Sequence, residues 1–361
     1  MRLVSDSGLW RTGPVVPAGP TAAVLELSGA VLAWVVDESP ASVAMTLTDT
    51  AVADWLWRVV GEDGHVALLA AIDAADARGA DEFEVPGVRI HADALTALRR
   101  LAFGHWLRRW WPASARDGIV ALDPAVLDGE VALATVAAED YFADDTFDSD
   151  VADLLRPHLP ALAALAAHGD PRAGALAAAC LELADDVGAT NGARIAVAAA
   201  GRRDDYALAA GARPGARPDV LIASGVGSVD WTAVPPGLFD AADGTVDWAI
   251  EVEGTAPVAT VRVATSAAVD GIEIRLRSGP FDAVGALTAD GRATLALGSM
   301  TEDQAWGHDW SVTTVSVGAD VSAPGDAAAT RKRVRDFARR RLARPDADAF
   351  LVEILAAESD Y

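Results

Sequence analysis

The chain has 361 residues, with 53 Asp and Glu against 29 Lys and Arg and a formal net charge of -24. That balance repels phosphate backbones and anionic lipid, which argues against a general nucleic-acid binder. The chain has no run of the roughly 18 apolar residues that a membrane span needs, and with Cys180 as its only cysteine it forms no intrachain disulfide.

The length exceeds what one core usually organises and predicts two domains. The start, MRLVSDSGLWRTGP, lacks an apolar stretch after Arg2, so no secretory signal is visible and a cytoplasmic protein is expected. Lys332 is the only lysine. With the high alanine content this reads as a GC-rich coding bias, so the many arginines need less functional explanation.

Residues 1–20, rich in Gly and Pro, read as an irregular arm. Residues 22–27 and 30–36 read as a hairpin across Ser28-Gly29, and 43–48 as a third strand. Asp49 or Thr50 is expected to cap a helix carrying Trp55, Leu56, Val59 and Val60. A second helix through Leu68, Leu69 and Ile72 should stop near Gly79, and residues 82–90, with Pro86-Gly87 inside, read as an edge or bulged strand.

The stretch LTALRRLAFGHWLRRWWP, residues 95–112, holds three of the eleven tryptophans. Leu95, Leu98, Ala102 and Trp106 share one side of a helix, and Phe103, Leu107 and Trp110 widen it. Arg99, Arg100, Arg108 and Arg109 are spread around the wheel. A helix apolar nearly all round is expected at the centre of a domain, its arginine stems lying along neighbours. Pro112 ends it at Trp111. The competing reading is an interface, because Trp and Arg are enriched where partners bind. Asp123-Pro124 opens a further helix, and helical patterning runs from 151 to 187.

Beyond Gly188 the period changes. Residues 193–200, 206–210, 220–223, 246–252, 258–264, 272–277, 293–297 and 310–317 read as short strands about ten residues apart, the mark of an antiparallel β-sandwich. Asp290-Gly291 reads as a hairpin turn. Residues 283–297, AVGALTADGRATLAL, are similar to turns in transthyretin-like and other immunoglobulin-like sandwich modules. The chain closes with a basic helix, RKRVRDFARRRLAR, and an acidic one after Pro345-Asp346. The expected fold class is thus α+β. A mainly helical domain with a small sheet (1–188) precedes an immunoglobulin-like sandwich (189–328) and a closing helical hairpin (329–361).

The candidate sites follow. The acidic residues Asp144, Asp145, Asp148 and Asp150 lack the Gly and Glu spacing of a calcium loop and read as a solvated stretch with Asp148 or Ser149 as helix cap. No His pair has zinc spacing, and no metal or cofactor is expected. His105 could titrate near neutrality. Ser224-Gly225-Val226-Gly227-Ser228 lacks the third Gly of a dinucleotide loop and reads as a turn. Trp306, His308, Asp309 and Trp310 could stack a sugar or nucleotide, or plug one end of the sandwich. Arg331, Arg335, Arg339 and Arg340 are expected to point away from an apolar stripe of Val334, Phe337, Ala338 and Leu342.

The reading is a non-enzymatic accessory or regulatory protein. Its partner would be another protein with an acidic or mixed surface, met through Arg99, Arg100, Trp106, Arg108, Arg109, Trp110, Trp111 and the basic helix. The alternatives are a ligand-sensing sandwich and a hydrolase using Glu139 and Asp140. Neighbouring carboxylates on a helix diverge by about 100°, which counts against the last.

Overall fold

The structure, a computed structural model, describes residues 1–142, 147–190, 220–253, 256–298, 300–320 and 327–359. The strands expected at 193–200 and 206–210, and Asp144 and Asp145, lie outside the described residues. The architecture mixes helices with antiparallel sheets. The chain divides into two units, one of residues 1–111, 122–194 and 330–361, the other of 112–121 and 195–329.

In the first unit the arm is a hairpin. Strand β1 (Arg2–Asp6) pairs with β2 (Leu9–Thr12) across Ser7 at φ 54° and Gly8 at φ 84°. Two successive positive φ values make the turn whose twist suits a two-residue hairpin. The short strands hide this pattern in sequence, yet Leu3 and Trp10 are both buried. Trp10 meets Phe83 edge-on and donates from Nε1 to Asp76 at 2.9 Å. β3 (Ala22–Leu27), β4 (Ala30–Val35) and β5 (Val43–Leu47) follow, and Asp49 accepts from the N–H of Ala51, closing a turn rather than capping a helix. Helices α1 (Leu56–Val60) and α2 (Glu62–Arg78) lead to β6 (Glu82–Glu84). The sheet is six-stranded, in the order β3-β4-β5-β2-β1-β6, larger than the sequence suggests.

Helix α3 (Thr96–Trp110) packs on β3 and on α4 (Pro124–Val136). Leu98, Leu101, Ala102, Phe103, Trp106 and Leu107 are all buried. Trp106 is 2% exposed, its Nε1 donates to the Pro20 carbonyl at 2.7 Å, and its ring meets Phe337 edge-on. Trp106 is therefore core and presents nothing to a partner. Asp123 caps α4 by accepting from Ala125 and Val126. Helices α5 (Phe147–Leu155), α6 (Leu159–His168) and α7 (Pro171–Asp186) complete the layer, with Asp148 and Asp150 in the first turn of α5. Cys180 on α7 is buried, and burial, helped by the charge of Glu130, pushes its thiol up to about 11, which disfavours the thiolate.

In the second unit, β7 (Val220–Gly227), β8 (Val246–Glu253) and β9 (Ala256–Val263) are followed by β10 (Glu273–Ser278), β11 (Phe281–Ala286) and β12 (Arg292–Ala296), then helix α8 (Glu302–Gly307) and β13 (Thr314–Val317). They form a four-stranded sheet, β12-β9-β8-β7, and a three-stranded one, β11-β10-β13. Trp248, Ile250 and Val261 of the first share one core with Ile274, Leu276 and Val317 of the second. Two sequence expectations fail here. Residues 224–227 are not a turn but the end of β7. Gly225 is needed because a Cβ there would meet the Trp248 ring at 2.4 Å. Asp290-Gly291 does not close a hairpin either, because β11 pairs with β10 and β12 with β9, so that turn crosses between sheets. Segment 112–121 is held by Asp240, which accepts from Ser114 Oγ at 2.6 Å and from the N–H of Arg116.

The last two helices, α9 (Ala327–Ala343) and α10 (Leu351–Ser359), lie almost wholly in the first unit. Val334, Phe337, Ala338, Phe350 and Val352 are buried, so deleting the hairpin would strip the core rather than a detachable arm. Trp106→Ala should cost about 3–5 kcal/mol, the usual loss for a large aromatic removed from a core. Urea unfolding of the variant checks this, and a wild-type midpoint would contradict it.

Candidate functional site

Phe337, Arg340, Arg341 and Arg344 recur at i, i+3, i+4 and i+7, so they share one face of α9. That face looks onto the start of α3, and with loop 36–41 and link 346–348 it walls a groove of about 1230 Å³. Leu95, Val36, Pro40 and Phe337 supply apolar lining, Arg99, Arg100, Arg340, Arg341 and Arg344 supply cations, and Asp37, Glu38, Asp93, Asp346 and Asp348 supply as many carboxylates.

Beneath the groove lies a buried ionic network. Helix α10 begins after Phe350, which has no side-chain oxygen to satisfy the orphan N–H groups of a helix start. Glu130 of α4 does this instead, accepting from Leu351 at 2.8 Å and Val352 at 3.0 Å. Glu353 accepts from Phe350 at 2.9 Å, the return half of a capping box. Arg341, 4% exposed, clasps Glu353 with two hydrogen bonds of 2.5 and 2.8 Å and reaches Asp346 and Asp348. Arg99 donates to Asp348 at 2.7 Å and lies over the Phe103 ring. Arg100 donates to the Asp348 carbonyl at 2.8 Å and to Glu130 at 3.2 Å, stacked over Phe350.

Charges in this network are shifted in opposite directions. Burial raises Glu130 above its ordinary value despite the two backbone N–H groups and Arg100. Burial would also raise Asp348, but the hydrogen bond from Arg99 and the field of Arg341 outweigh it and hold it low. On loop 36–41, Arg333 answers Asp37 at 2.6 Å and Glu38 at 3.4 Å. Arg340 and Arg344 are exposed and have no carboxylate at ion-pair distance among the described residues, although Arg340 lies 5.8 Å from the Phe337 ring. The groove thus offers two open guanidinium groups beside an apolar lining.

The candidates from sequence do not all meet. Arg99, Arg100 and Arg340 come together here. Arg108 turns to α4, donating to Asp128 at 2.6 Å, and His158 sits 3.0 Å from the same carboxylate. Burial and the charge of Arg108 push His105 below its ordinary value, so it does not titrate upward of neutrality. Arg109 lies over Trp110, half-buried with Trp111 at the end of α3, and none of the three lines the groove. Arg335 is 6% exposed, which corrects its expected outward position. Arg339 pairs with Asp336 at 3.3 Å, and Arg331 is half-buried; neither lines the groove. Sequence reasoning missed Arg341, Arg344, Glu130 and Glu353. The available signal for Glu130 was a carboxylate, two residues after Asp128, inside the otherwise apolar run VLDGEVALATV, which calls for a buried partner.

The aromatic loop does not form a clamp. Trp306, in the last turn of α8, is 51% exposed, whereas Trp310 is 7% exposed and donates to the Ala305 carbonyl. His308 Nε2 meets Ser278 Oγ at 2.8 Å and packs edge-on to Phe281 and Trp310. Ser278 is fully buried, so this Ser-His pair is closed to substrate. Asp309 caps a 3-10 turn through the N–H and Oγ of Ser311. Asp140 pairs with Arg58 at 2.9 Å, and Glu139 and Asp140 are both exposed. Among the described residues no group of three or more His, Cys, Asp and Glu could hold a metal ion. No family model, curated protein or solved structure matches the chain.

Two outcomes are expected of the network. Glu130→Ala leaves two N–H groups and Arg100 without their carboxylate and should cost about 3 kcal/mol. Urea unfolding measures this, and the amides of α10 should exchange faster. Asp348, depressed in the fold, stabilises above its unfolded pKa, and that contribution is lost as the pH falls through about 4 and below. Glu130, raised in the fold, has the opposite sign, its contribution being lost as the pH rises. Unfolding at stepped pH should therefore show the deficit of Asp348→Asn shrinking toward acid, while Glu130→Gln flattens the decline on the alkaline side of about pH 4.5.

Proposed function

We propose that this is a non-enzymatic, cytoplasmic accessory or regulatory protein that acts by binding another protein. In this reading the arginine groove of the first unit docks an acidic segment of the partner. The second unit is an immunoglobulin-like β-sandwich. The observation that carries the reading is the exposed Arg340 and Arg344 beside an apolar lining, over a network that has already neutralised the other arginines. Salt limits the repulsion from the rest of the chain to about 8 Å, so carboxylates seated against those two heads interact mainly with them. Among the described residues no helix is long and apolar enough to cross a membrane.

The other readings draw less support. A sugar or nucleotide sensor at the aromatic loop would need Trp306 and Trp310 to face one another, and Trp310 is turned inward. A carboxylate hydrolase at Glu139 and Asp140 would need both carboxylates on one substrate, and Asp140 is instead paired with Arg58.

The test is fluorescence anisotropy with a labelled peptide of alternating Glu and Leu, on wild type and on Arg340→Glu/Arg344→Glu. Both residues are exposed, so the double variant should melt like wild type. Its affinity should fall at least tenfold, and wild-type binding should weaken as salt rises. Equal affinity for both proteins would refute the docking site. Retention of wild type on a duplex-DNA column at physiological salt, lost in the variant, would shift the partner to nucleic acid.

A further inference from the structure

The fold itself engages most of the charges that line the arginine groove. Arg99 and Arg341 hold Asp348, Arg341 also holds Asp346 and Glu353, and Arg100 holds Glu130. On the facing loop, Asp37 and Glu38 are held by Arg333. Among the described residues the lining charges left without an ion pair are Arg340, Arg344 and Asp93, and all three are exposed. The walls come from segments 36–41, 92–100 and 337–348, all within the first unit. The undescribed segment nearest to them in sequence, 321–326, joins α9 at Ala327, almost three helical turns before Phe337.

Packing between the two helices orders these three groups. Phe337 meets Trp106 and Phe103, with ring centroids 5.5 and 6.4 Å apart. One turn further along α9, Arg341 lies 5.9 Å from the Phe103 ring and shares Asp348 with Arg99. Contacts that move forward on α9 thus move back on α3, so the two helices run antiparallel here. Arg344, nearly a turn beyond Arg341, lies toward the start of α3. Asp93 stands at that same end, in the 3-10 turn Ala92–Leu95 that leads into the helix. A carboxylate in a first turn suits the positive end of a helix, and that role leaves its oxygens unpaired. The groove therefore carries Arg340 midway, and Arg344 with Asp93 at one end.

Resting on the docking reading above, we propose that Asp93 sets which acidic segments of a partner protein the groove accepts. The favoured segment has carboxylates for Arg340 and Arg344 and a Lys or Arg at one end of that acidic run for Asp93. A run of acids alone places like charge against Asp93, and such juxtaposition costs affinity. A base set in the middle of the run meets Arg340 instead of Asp93 and is disfavoured for the same reason. Asp93 is thus a specificity-determining residue, one that adds an opposite charge to the end of the recognition pattern. It also disfavours nucleic acid and polyphosphate, which bring anions without a cation.

The probes are three labelled peptides measured by anisotropy on the full chain. One alternates Leu with three Glu, and the other two carry Lys in place of its first or its last Glu. The better Lys peptide should bind wild type more tightly than the all-Glu peptide by roughly threefold or more, the scale of one exposed ion pair. Asp93→Asn should remove that preference and Asp93→Lys should reverse it. Both changes are at an exposed position, and the neutral one keeps the test readable if the Lys variant melts early. No preference for either Lys peptide on wild type would overturn the proposal. So would a preference that survives Asp93→Asn, and the groove itself would then still stand if Arg340→Glu/Arg344→Glu weakens all three peptides. If that double variant binds all three as wild type does, the docking reading fails and this proposal fails with it.

Discussion

The carboxylate of Glu130 sits at the start of a helix that cannot cap itself. Phe350 precedes α10, and the two N–H groups behind it are answered from α4, more than 200 residues earlier, at 2.8 and 3.0 Å. That arrangement ties the end of the chain to the centre of the first unit. Arg341 and Glu353 extend it to α9, and Arg99 and Arg100 extend it to α3. Ionic groups taken out of water gain little net stability, because desolvation offsets their attraction. What they contribute is orientation. Each guanidinium has its own set of acceptors, and each set places a helix, although the buried Arg99 Nε finds none among the described residues.

The same network leaves two guanidinium groups open in a groove lined by five arginines and five carboxylates. Its arginines divide by depth. Arg341 is spent on Glu353, Asp346 and Asp348, and Arg99 and Arg100 on Asp348 and Glu130. The acids of loop 36–41 face Arg333. Arg340 and Arg344, one turn apart, stay open while Asp37, Glu38, Asp346 and Asp348 are paired with Arg333, Arg341 and Arg99. The site therefore arises from how charges are distributed, in a protein whose total charge points the other way.

The second unit shows the same economy with aromatic residues. Trp310, His308 and Phe281 pack edge-on and turn a loop that looks like a ligand clamp into a plug. Trp248 lies against Gly225 and belongs to the same core. In both places burial marks the ring as structural, Trp310 at 7% and Trp248 at 8% exposed.

Local periodicity was enough to locate β3, β4, β5, β8 and β9, the central helix ending before Pro112, and the change from helix to strand in the second half. A buried face repeats every 2 or 3.6 residues whatever covers it. It was not enough to decide which sheet a strand joins. The turn at Asp290-Gly291 is locally a hairpin signal, yet the strands on either side pair with β10 and β9. The short N-terminal hairpin carried too few alternations to stand out from its glycines and prolines. The candidate site was half legible, since Arg99, Arg100 and Arg340 lie in conspicuous runs. Which arginines stay open depends on carboxylates up to 249 residues away in the chain. Composition determined that this protein is acidic, rich in arginine and without a membrane-spanning helix run. Only the tertiary structure decided where its positive charge is exposed, because pairing energies depend on distances between residues that the sequence keeps far apart.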